Sequence, residues 1–386
     1  MHLVVVSRIY LPEPSAASFF LSAVADELCS RNHEVTVLTA APPRGYAMPE
    51  RAERIRTFPV LRDRTGYVRG YLQYMSFDIP VFFRLLFTQR PSAVLVEPPP
   101  TTGVMVRLAC WLRRIPYVYD AADLWSFAAG HATSSSLVLR TLEELERRAL
   151  SGAQRIVTVS DEVKDRIIAW GVTTPITTTG RGADTSQFHY SPAPSKPLFL
   201  YAGSYSAWHG AIVLADAFAE FLTTHPGFTL RFVGHGSELE SIRERADQLG
   251  IADAVEFADP VPPSELNAQL SAATASLATL LPGGGYEFAF ATKTYSSLAS
   301  GCPVIFAGPG PTAAFLARAN TEVHAGAPVA YDPAAIAAAM REIADAPAPP
   351  ASRERLAVWA DEHVSMRAAA ARAADAILDV ANGATA

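Results

Sequence analysis

The chain has 386 residues, of which 49% are hydrophobic and 18% are charged. This composition is typical of a globular protein long enough for two domains, and it excludes a disordered chain. The formal net charge of −6 argues against sequence-independent nucleic-acid binding, so no nucleic-acid partner is expected.

The first half of the chain alternates short β-branched segments with longer amphipathic ones. Residues 3–7 and 34–39 are predicted to be strands, and 18–30 between them has helical periodicity. Further strands are predicted at 93–96, 117–120 and 155–160. Short apolar strands separated by helices are typical of a doubly wound parallel sheet, because such strands are buried on both faces.

The chain begins directly with a strand-like segment and shows no basic stretch or cleavage site of a secretory signal. No segment approaches the roughly 20 apolar residues that a membrane-spanning helix needs. Cys29, Cys110 and Cys302 are too few and too widely spaced for a disulfide framework or a zinc site. We therefore expect a soluble cytoplasmic protein with reduced thiols.

The pattern breaks at residues 191–197, SPAPSKP, which have the composition of a linker. A second series of predicted strands follows at 198–202, 229–233, 255–257, 275–278 and 303–306. We therefore predict two Rossmann-like α/β domains, 1–190 and 191–365, that face each other across a cleft. A terminal helical segment, 366–386, is expected to pack back on the first domain.

Ligands of open α/β sheets bind outside the carboxyl ends of the strands. That rule selects the loops 7–18, 97–102, 120–131, 203–210, 234–237 and 282–293. In the first loop, Ser15, Ala16 and Ala17 are small residues at a helix N-terminus, where an anion could approach backbone N–H groups. Ser15 could equally be an ordinary N-cap, so both interpretations stay open.

Two carboxylates, Asp120 and Asp123, follow the strand 117–120 and precede Trp125. They are candidate catalytic residues, because buried carboxylates without a task are costly. The alternative is that Asp120 caps the next helix and Trp125 is a packing residue. His131, later in the same loop, could join the site or lie at the surface.

Two glycine-lined turns follow the first two strands of the second domain. In Gly203–Gly210 the glycines permit a tight turn, and Ser204 and His209 are the polar groups available to a phosphate. Gly234 begins the second turn. Either could be an ordinary turn, but two such turns at strand ends of one domain favour a donor-binding site.

Residues 282–296 are the most informative segment of the sequence. Three glycines precede Glu287, which stands alone among apolar residues, and Thr292 and Lys293 begin a predicted helix. A lysine in the first turn opposes the helix dipole, and a bound diphosphate would compensate for it. The alternative is a plain surface lysine.

Taken in order, these segments resemble the bacterial family 4 glycosyltransferases of GT-B fold, particularly those that build capsule and lipopolysaccharide chains. The matching segments are Tyr10–Glu13, Arg31–Thr39, Asp120–Trp125, Val159–Val172, Arg181–Phe188, Tyr201–Gly203, Val233–Gly236 and Ala291–Ile305. The resemblance implies a retaining hexosyltransferase that uses no metal or other cofactor. Its partners would be a nucleotide-sugar donor in the second domain and a glycan, lipid-linked or small-molecule acceptor in the first.

The resemblance also assigns roles to residues. Lys293 would contact the diphosphate and Glu287 the donor sugar, while Asp120 and Asp123 would line the acceptor side. This chain departs from the family at Ser204, His209 and Ser296, where many relatives carry Arg, Lys and a ribose-binding Glu. A serine in place of that carboxylate costs about 1–3 kcal/mol. Either the donor is unusual, or Arg181 and helix N-termini compensate.

The residues leave three questions open. A nucleotide-sugar epimerase of GT-B fold remains an alternative function. A non-catalytic nucleotide-sugar-binding paralogue is another, favoured by the missing Arg, Lys and Glu. Residues 67–89, rich in aromatics, could form a buried helix or an interfacial segment that makes peripheral contact with the inner face of the membrane.

Overall fold

The computed structural model describes residues 1–13, 15–43, 48, 50–63, 68, 70–122, 124–126, 135–283 and 285–383. The chain folds into two compact units: unit 1 is Met1–Arg181 with Ala369–Ala386, and unit 2 is Gly182–Ala368. The division falls before the predicted linker at 191–197, and most of the terminal helix belongs to unit 1.

The described part of unit 1 contains a sheet of seven parallel strands in the order β3-β2-β1-β4-β5-β6-β7. The strands are β1 (His2–Val6), β2 (Glu34–Ala40), β3 (Arg54–Phe58), β4 (Ala93–Val96), β5 (Tyr117–Ala121), β6 (Arg155–Thr158) and β7 (Ile176–Thr178). Chain order runs outward in both directions from β1 and β4. The switch point of this sheet therefore lies between β1 and β4.

Helices alternate with these strands. They are α1 (Ala16–Ser30), α2 (Tyr71–Phe87), α3 (Pro100–Arg113), α4 (Ser136–Gly152) and α5 (Asp161–Ala169). Every residue of β4 and β5 is buried, as expected for parallel strands covered on both faces. The first helix starts at a capping box, because Ser18 N–H donates to Ser15 Oγ and Ser15 N–H donates to Ser18 Oγ. The interpretation of Ser15 as an N-cap is thus confirmed.

The helix α2 lies within residues 67–89, for which the sequence left a buried helix and an interfacial segment open. Its inner face places Phe77, Val81 and Leu85 in the core of unit 1. Its outer face leaves large apolar side chains exposed, and Leu72 and Phe87 retain 66% and 85% of their accessible surface. No helix within the described ranges combines the length and apolarity needed to cross a membrane.

In the described part of unit 2, six parallel strands form a sheet of order β10-β9-β8-β11-β12-β13. These strands are β8 (Lys196–Ala202), β9 (Thr229–Val233), β10 (Val255–Ala258), β11 (Ala273–Thr279), β12 (Val304–Ala307) and β13 (Gly326–Val329). The switch point lies between β8 and β11. The prediction of two Rossmann-like, doubly wound α/β domains is confirmed.

The remaining helices complete unit 2 and the end of the chain. They are α6 (Val213–Leu222), α7 (Leu239–Gln248), α8 (Pro263–Ala272), α9 (Lys293–Ala299), α10 (Pro311–Ala319), α11 (Pro333–Asp345), α12 (Pro350–Val364) and α13 (Met366–Gly383). The core of unit 2 is strongly aromatic, with Phe199, Phe221 and Phe232 fully buried. This core fixes the carboxyl ends of β8 and β11, which carry the candidate site.

Candidate functional site

A cavity of about 430 Å³ lies at the carboxyl ends of β8 and β11, the switch point of unit 2. This volume falls in the range of small-molecule sites. Its lining includes six residues that the sequence predicted for donor binding: Gly203, Ser204, His209, Thr292, Lys293 and Ser296. The structure therefore brings together residues from two segments, 203–209 and 292–296, that are distant in the chain.

Lys293 is the cation of this cavity. Its Nζ is buried and lacks a hydrogen-bond partner among the described residues. The ammonium lies 3.5 Å from the centre of the Tyr201 ring, whose π face stabilises a cation but accepts no conventional hydrogen bond. Burial lowers the pKa of Lys293 well below its ordinary value. An anion in the cavity would supply the missing acceptors and favour the charged form.

His209 is a buried side chain of the cavity at a position where the resemblance predicts a lysine. Its Nδ1 accepts the Ser206 N–H at 3.2 Å, within a 3₁₀ turn at Ala207–His209. The neutral ring then carries its proton on Nε2, and no described residue accepts that N–H. Burial, helped by the charge of Lys293, lowers the pKa of His209 to about 4. The imidazole is therefore uncharged at neutral pH.

The serine and threonine residues are arranged around this pair. Ser204 and Thr292 are exposed residues of the cavity lining. The Ser296 hydroxyl donates to the Lys293 carbonyl oxygen at 3.0 Å. In this arrangement its hydrogen is engaged, so Ser296 can offer a ribose only the lone pairs of its oxygen.

Gly234 supports the cavity without lining it. A Cβ built on this residue would lie 2.2 Å from the carbonyl oxygen of Gly203, and its φ of +136° is unfavourable for any other residue. The glycine thus allows the loop after β9 to approach the loop after β8. Its position is explained by this close approach, and it shapes the Gly203–Ser204 turn.

An aromatic stack beside the cavity was not predicted from the sequence. Trp208 stacks on His209 with ring centres 3.6 Å apart, and on Tyr286 at 5.1 Å. Trp208 lines the cavity, whereas Glu287, next to Tyr286, is not among its lining residues. The Glu287 carboxylate accepts the Gly285 N–H at 3.4 Å. Its contact with a donor sugar stays a prediction.

In unit 1, Asp120 and Arg181 form one buried ion pair. Arg181 Nη2 donates to both carboxylate oxygens of Asp120 at 2.9 Å, and the Asp120 side chain is fully buried. The guanidinium carbon lies 3.6 Å from the centre of the Phe20 ring. The sequence assigned Asp120 to catalysis and Arg181 to the donor. In the structure the two side chains are paired with each other, and both assigned roles stay predictions.

Glu97, the first residue after β4, was within a loop selected from the sequence but was not singled out. It lies beside Asp120, because its neighbour Val96 pairs with Tyr119. The Ser7 hydroxyl lies 3.0 Å from Glu97 Oε2 and 2.7 Å from the Ile9 carbonyl oxygen, so these two acceptors share its single hydrogen. Burial raises the pKa of Glu97 to about 7, an effect that the charge of Arg8 opposes.

The other predicted residues are placed as follows. Ser15, Ala16 and Ala17 form the capped start of α1. Asp123 and His131 lie outside the described residues. Within the described ranges, no group of three or more His, Cys, Asp or Glu side chains is arranged to hold a metal ion.

A second cavity, of about 780 Å³, lies in unit 1. Its lining includes Arg107 and Trp111 of α3, together with Pro116 and Gln154. Pro116 and Gln154 directly precede β5 and β6, so this cavity is at the amino edge of the sheet. Active sites of such sheets lie at the opposite edge, so the cavity of unit 2 is the candidate site.

Comparison with known families defines the class of protein. Residues 17–182 match the family described as glycosyl transferase 4-like domain, and residues 196–346 match glycosyl transferases group 1. The two matches together span most of the chain. The protein therefore belongs to the group 1 glycosyltransferases of GT-B fold.

Two curated relatives carry the name D-inositol 3-phosphate glycosyltransferase. The Acidothermus cellulolyticus protein is 32% identical over 45% of this chain and 40% of its own length. The Corynebacterium diphtheriae protein is 27% identical over 66% of this chain and 63% of its own length. The chain thus matches less than two thirds of either relative.

Solved structures share the fold at low sequence identity. Anabaena HepE in complex with UDP-glucose is 16% identical, with a TM-score of 0.67 over 98% of this chain and 99% of that one. A putative UDP-N-acetylglucosamine 2-epimerase from Listeria monocytogenes is 12% identical, with a TM-score of 0.59 over 96% and 93%. The fold alone therefore does not separate transferases from epimerases.

Proposed function

We propose that this protein is a retaining, metal-independent hexosyltransferase. Unit 2 would hold a nucleoside-diphosphate sugar, and unit 1 would hold an acceptor whose hydroxyl receives the sugar. The observation that carries the proposal is the buried Nζ of Lys293, which lacks a hydrogen-bond partner among the described residues. Burying a charged ammonium in that position costs free energy unless a bound anion neutralises it.

The polar groups of the cavity match the needs of the departing diphosphate. When the bond between the sugar C1 and the phosphate oxygen breaks, negative charge develops on that oxygen. The Lys293 ammonium and the Nε2–H of His209 are donors that would stabilise this charge. Such donors perform the task that a metal ion performs in other transferases, which is the basis for proposing metal independence. Retention of configuration is carried over from the family resemblance.

The acceptor is proposed only as a hydroxyl compound. Glycans, glycolipids and small natural products all remain candidates, and D-inositol 3-phosphate joins them because the curated relatives are named for it. A lipid-linked acceptor is supported by the apolar outer face of α2, which would allow peripheral contact with a membrane.

Two alternatives keep a specific observation in their favour. An epimerase is supported by the fold shared with a 2-epimerase. A nucleotide-sugar-binding protein without activity is supported by Ser204, His209 and Ser296, which replace charged groups of many relatives. Both alternatives use the same cavity.

The decisive experiment measures binding and turnover with UDP-, GDP-, TDP- and CMP-sugars. A ligand at 100 times its Kd should add about 2.7 kcal/mol to the free energy of unfolding. A transferase releases the nucleotide by slow hydrolysis or transfer, an epimerase interconverts the sugar, and a binding protein does neither. Lys293→Met should abolish binding, whereas Lys196→Met, at an exposed lysine of unit 2, should not. Equal binding by parent and Lys293→Met would contradict the proposal.

A further inference from the structure

Three polar residues lie together at the switch point of unit 1. Ser7 and Glu97 are the first residues after β1 and β4, and Val6 pairs with Val96 in the sheet. Val96 also pairs with Tyr119, which places Asp120 at the same level on the next strand. Ser7, Glu97 and Asp120 therefore form a row at the carboxyl edge of the sheet, on one face.

Glu97 is the member of this row that can still bind a ligand. Asp120 is fully buried and both of its oxygens accept from Arg181. Glu97 is half-buried, and only its Oε2 is engaged, by the Ser7 hydroxyl. Its Oε1 has no hydrogen-bond partner in the part of the chain that the structure describes.

The cations around Glu97 are held in place by other groups. Arg8 is 4% exposed, donates from Nη1 to the Val68 carbonyl oxygen and lies over the Tyr74 ring at 4.2 Å. Its Nε is buried without a partner among the described residues. Arg181 is paired with Asp120. The charged groups that act on Glu97 are thus Arg8, Arg181 and Asp120.

The charge balance of this group selects the chemistry of the ligand. With Glu97 ionised, two arginines face two carboxylates and the group is neutral. An anionic ligand would be repelled by both carboxylates. A hydroxyl group, in contrast, can donate its hydrogen to the free Oε1 without adding charge. A hydrogen bond to an ionised carboxylate is stronger than one to a neutral acceptor.

We propose that Glu97, positioned by Ser7, is the acceptor-binding carboxylate of unit 1 and receives a hydroxyl group of an uncharged polyol moiety. This proposal rests on the proposed transferase function. Any phosphate of the acceptor binds elsewhere. Because burial raises the pKa of Glu97 to about 7, affinity for the acceptor should increase as the pH rises through neutrality.

The test compares Glu97→Gln with the parent from pH 5.5 to pH 9. The probes are D-inositol 3-phosphate, inositol, glycerol and water, each with the nucleotide-sugar that the parent binds. For the parent, kcat/KM for the acceptor should rise about tenfold across neutral pH, mainly through a falling KM. Glu97→Gln should lack this rise and should equal the parent only at low pH, where the parent's carboxyl is protonated.

A structural role alone would not produce this convergence at low pH. Ser7→Ala should shift the rise in kcat/KM to higher pH, because the lost hydrogen bond favoured the ionised carboxylate. Glu143→Gln, at an exposed carboxylate of α4, is the matched control and should keep the parent's profile. Nucleotide-sugar binding should be the same in all variants.

The outcomes separate this inference from the function on which it rests. If Glu97→Gln keeps the parent's kcat/KM and pH profile while the parent is active, Glu97 does not bind the acceptor. If the parent binds a nucleotide-sugar but releases no nucleotide with any probe, the transferase function itself is wrong, and this inference is wrong with it.

Discussion

Arg181 binds both carboxylate oxygens of Asp120 through a single nitrogen, Nη2, at 2.9 Å. Asp120 has no exposed side-chain surface, and that of Arg181 is 13% exposed. Removing one member of such a pair leaves a buried charge without compensation. We expect Arg181→Ala to destabilise unit 1 by about 3 kcal/mol, measured by urea unfolding.

The control for this pair is an exposed one in the same unit. Arg147 pairs with Glu144 on the surface of α4, and exposed pairs contribute little to stability. Arg147→Ala should leave the unfolding midpoint unchanged. If Arg181→Ala unfolded at the parent's midpoint, the pair would have no role in holding the loop after β7 to the sheet.

Lys293 should couple donor binding to proton uptake. Burial lowers its pKa in the ligand-free protein, and the negative charge of a bound diphosphate raises it again. Between these two pKa values, binding must therefore take up protons. Calorimetry of UDP binding in Hepes and in Tris, at several pH values from 7 to 9, should give different enthalpies where protons are taken up, because the two buffers release their protons with different heats. Identical enthalpies in both buffers at every pH would contradict this prediction.

His209 should make stability depend on pH below neutrality. Its pKa is lowered from 6.5 to about 4, so the unfolded chain binds a proton in this window while the folded chain does not. The stability that the neutral ring contributes is complete above pH 6.5 and is lost as the pH falls towards 4. The amide oxygen of His209→Asn can replace Nδ1 as the acceptor. The excess of the parent's free energy of unfolding over that of His209→Asn should therefore be constant above pH 6.5 and decrease as the pH falls through this window.

The same variant tests the donor role of His209. Loss of the Nε2–H should weaken UDP binding about 3- to 10-fold at pH 7, the range of one neutral hydrogen bond. His235→Gln, at an exposed histidine of unit 2, is the matched control. Unchanged UDP affinity in His209→Asn would show that the ring only supports the turn.

Gly234 should be essential to the shape of the cavity, because a larger side chain at this position would collide with Gly203. In Gly234→Ala the new Cβ would lie 2.2 Å from Gly203 O, so the Gly203–Ser204 turn must move. Gly227→Ala is the matched control, because its φ is also positive, at +93°, but nothing lies within 4 Å of the added carbon. Both variants should lose about 1 kcal/mol of stability to backbone strain, and Gly234→Ala should lose more because of its clash with Gly203. UDP affinity should fall at least about tenfold only in Gly234→Ala, since only there is the cavity wall displaced.

The sequence predicted the inner strands and missed three edge strands. β4 is buried throughout, and its apolar segment was recognised without error in its bounds. β3, β7 and β13 lie at the edges of the two sheets that the described residues form. Edge strands carry polar residues and proline that the interior excludes, as the two arginines of β3 and Pro328 of β13 show. Hydrophobic patterning is therefore weak in these strands.

The sequence predicted only the part of the candidate site that local patterns indicate. The loops that line the cavity could be located from strand ends, and Lys293 stood out because its charge opposes a helix dipole. The ion pair between Asp120 and Arg181 joins residues 61 positions apart, and no local sequence pattern predicts it. The raised pKa of Glu97 likewise depends on its burial and on charged neighbours from three other segments of the chain. Such contacts depend on the register of the sheet.

The outer face of α2 should bind membranes. Leu72 and Phe87 are among the most exposed large apolar side chains of the protein, and both lie on a helix whose opposite face is fixed in the core. Exposed apolar side chains on a fixed helix can enter the interface of a bilayer. We expect the protein to float with vesicles that contain anionic phospholipid, and the Leu72→Ser/Phe87→Ser variant to remain in the dense fraction. Ile168→Ser, at an exposed isoleucine of α5, is the matched control and should float like the parent. A parent that stays in the dense fraction would remove the membrane from the list of partners, and a lipid-linked acceptor would lose its structural support.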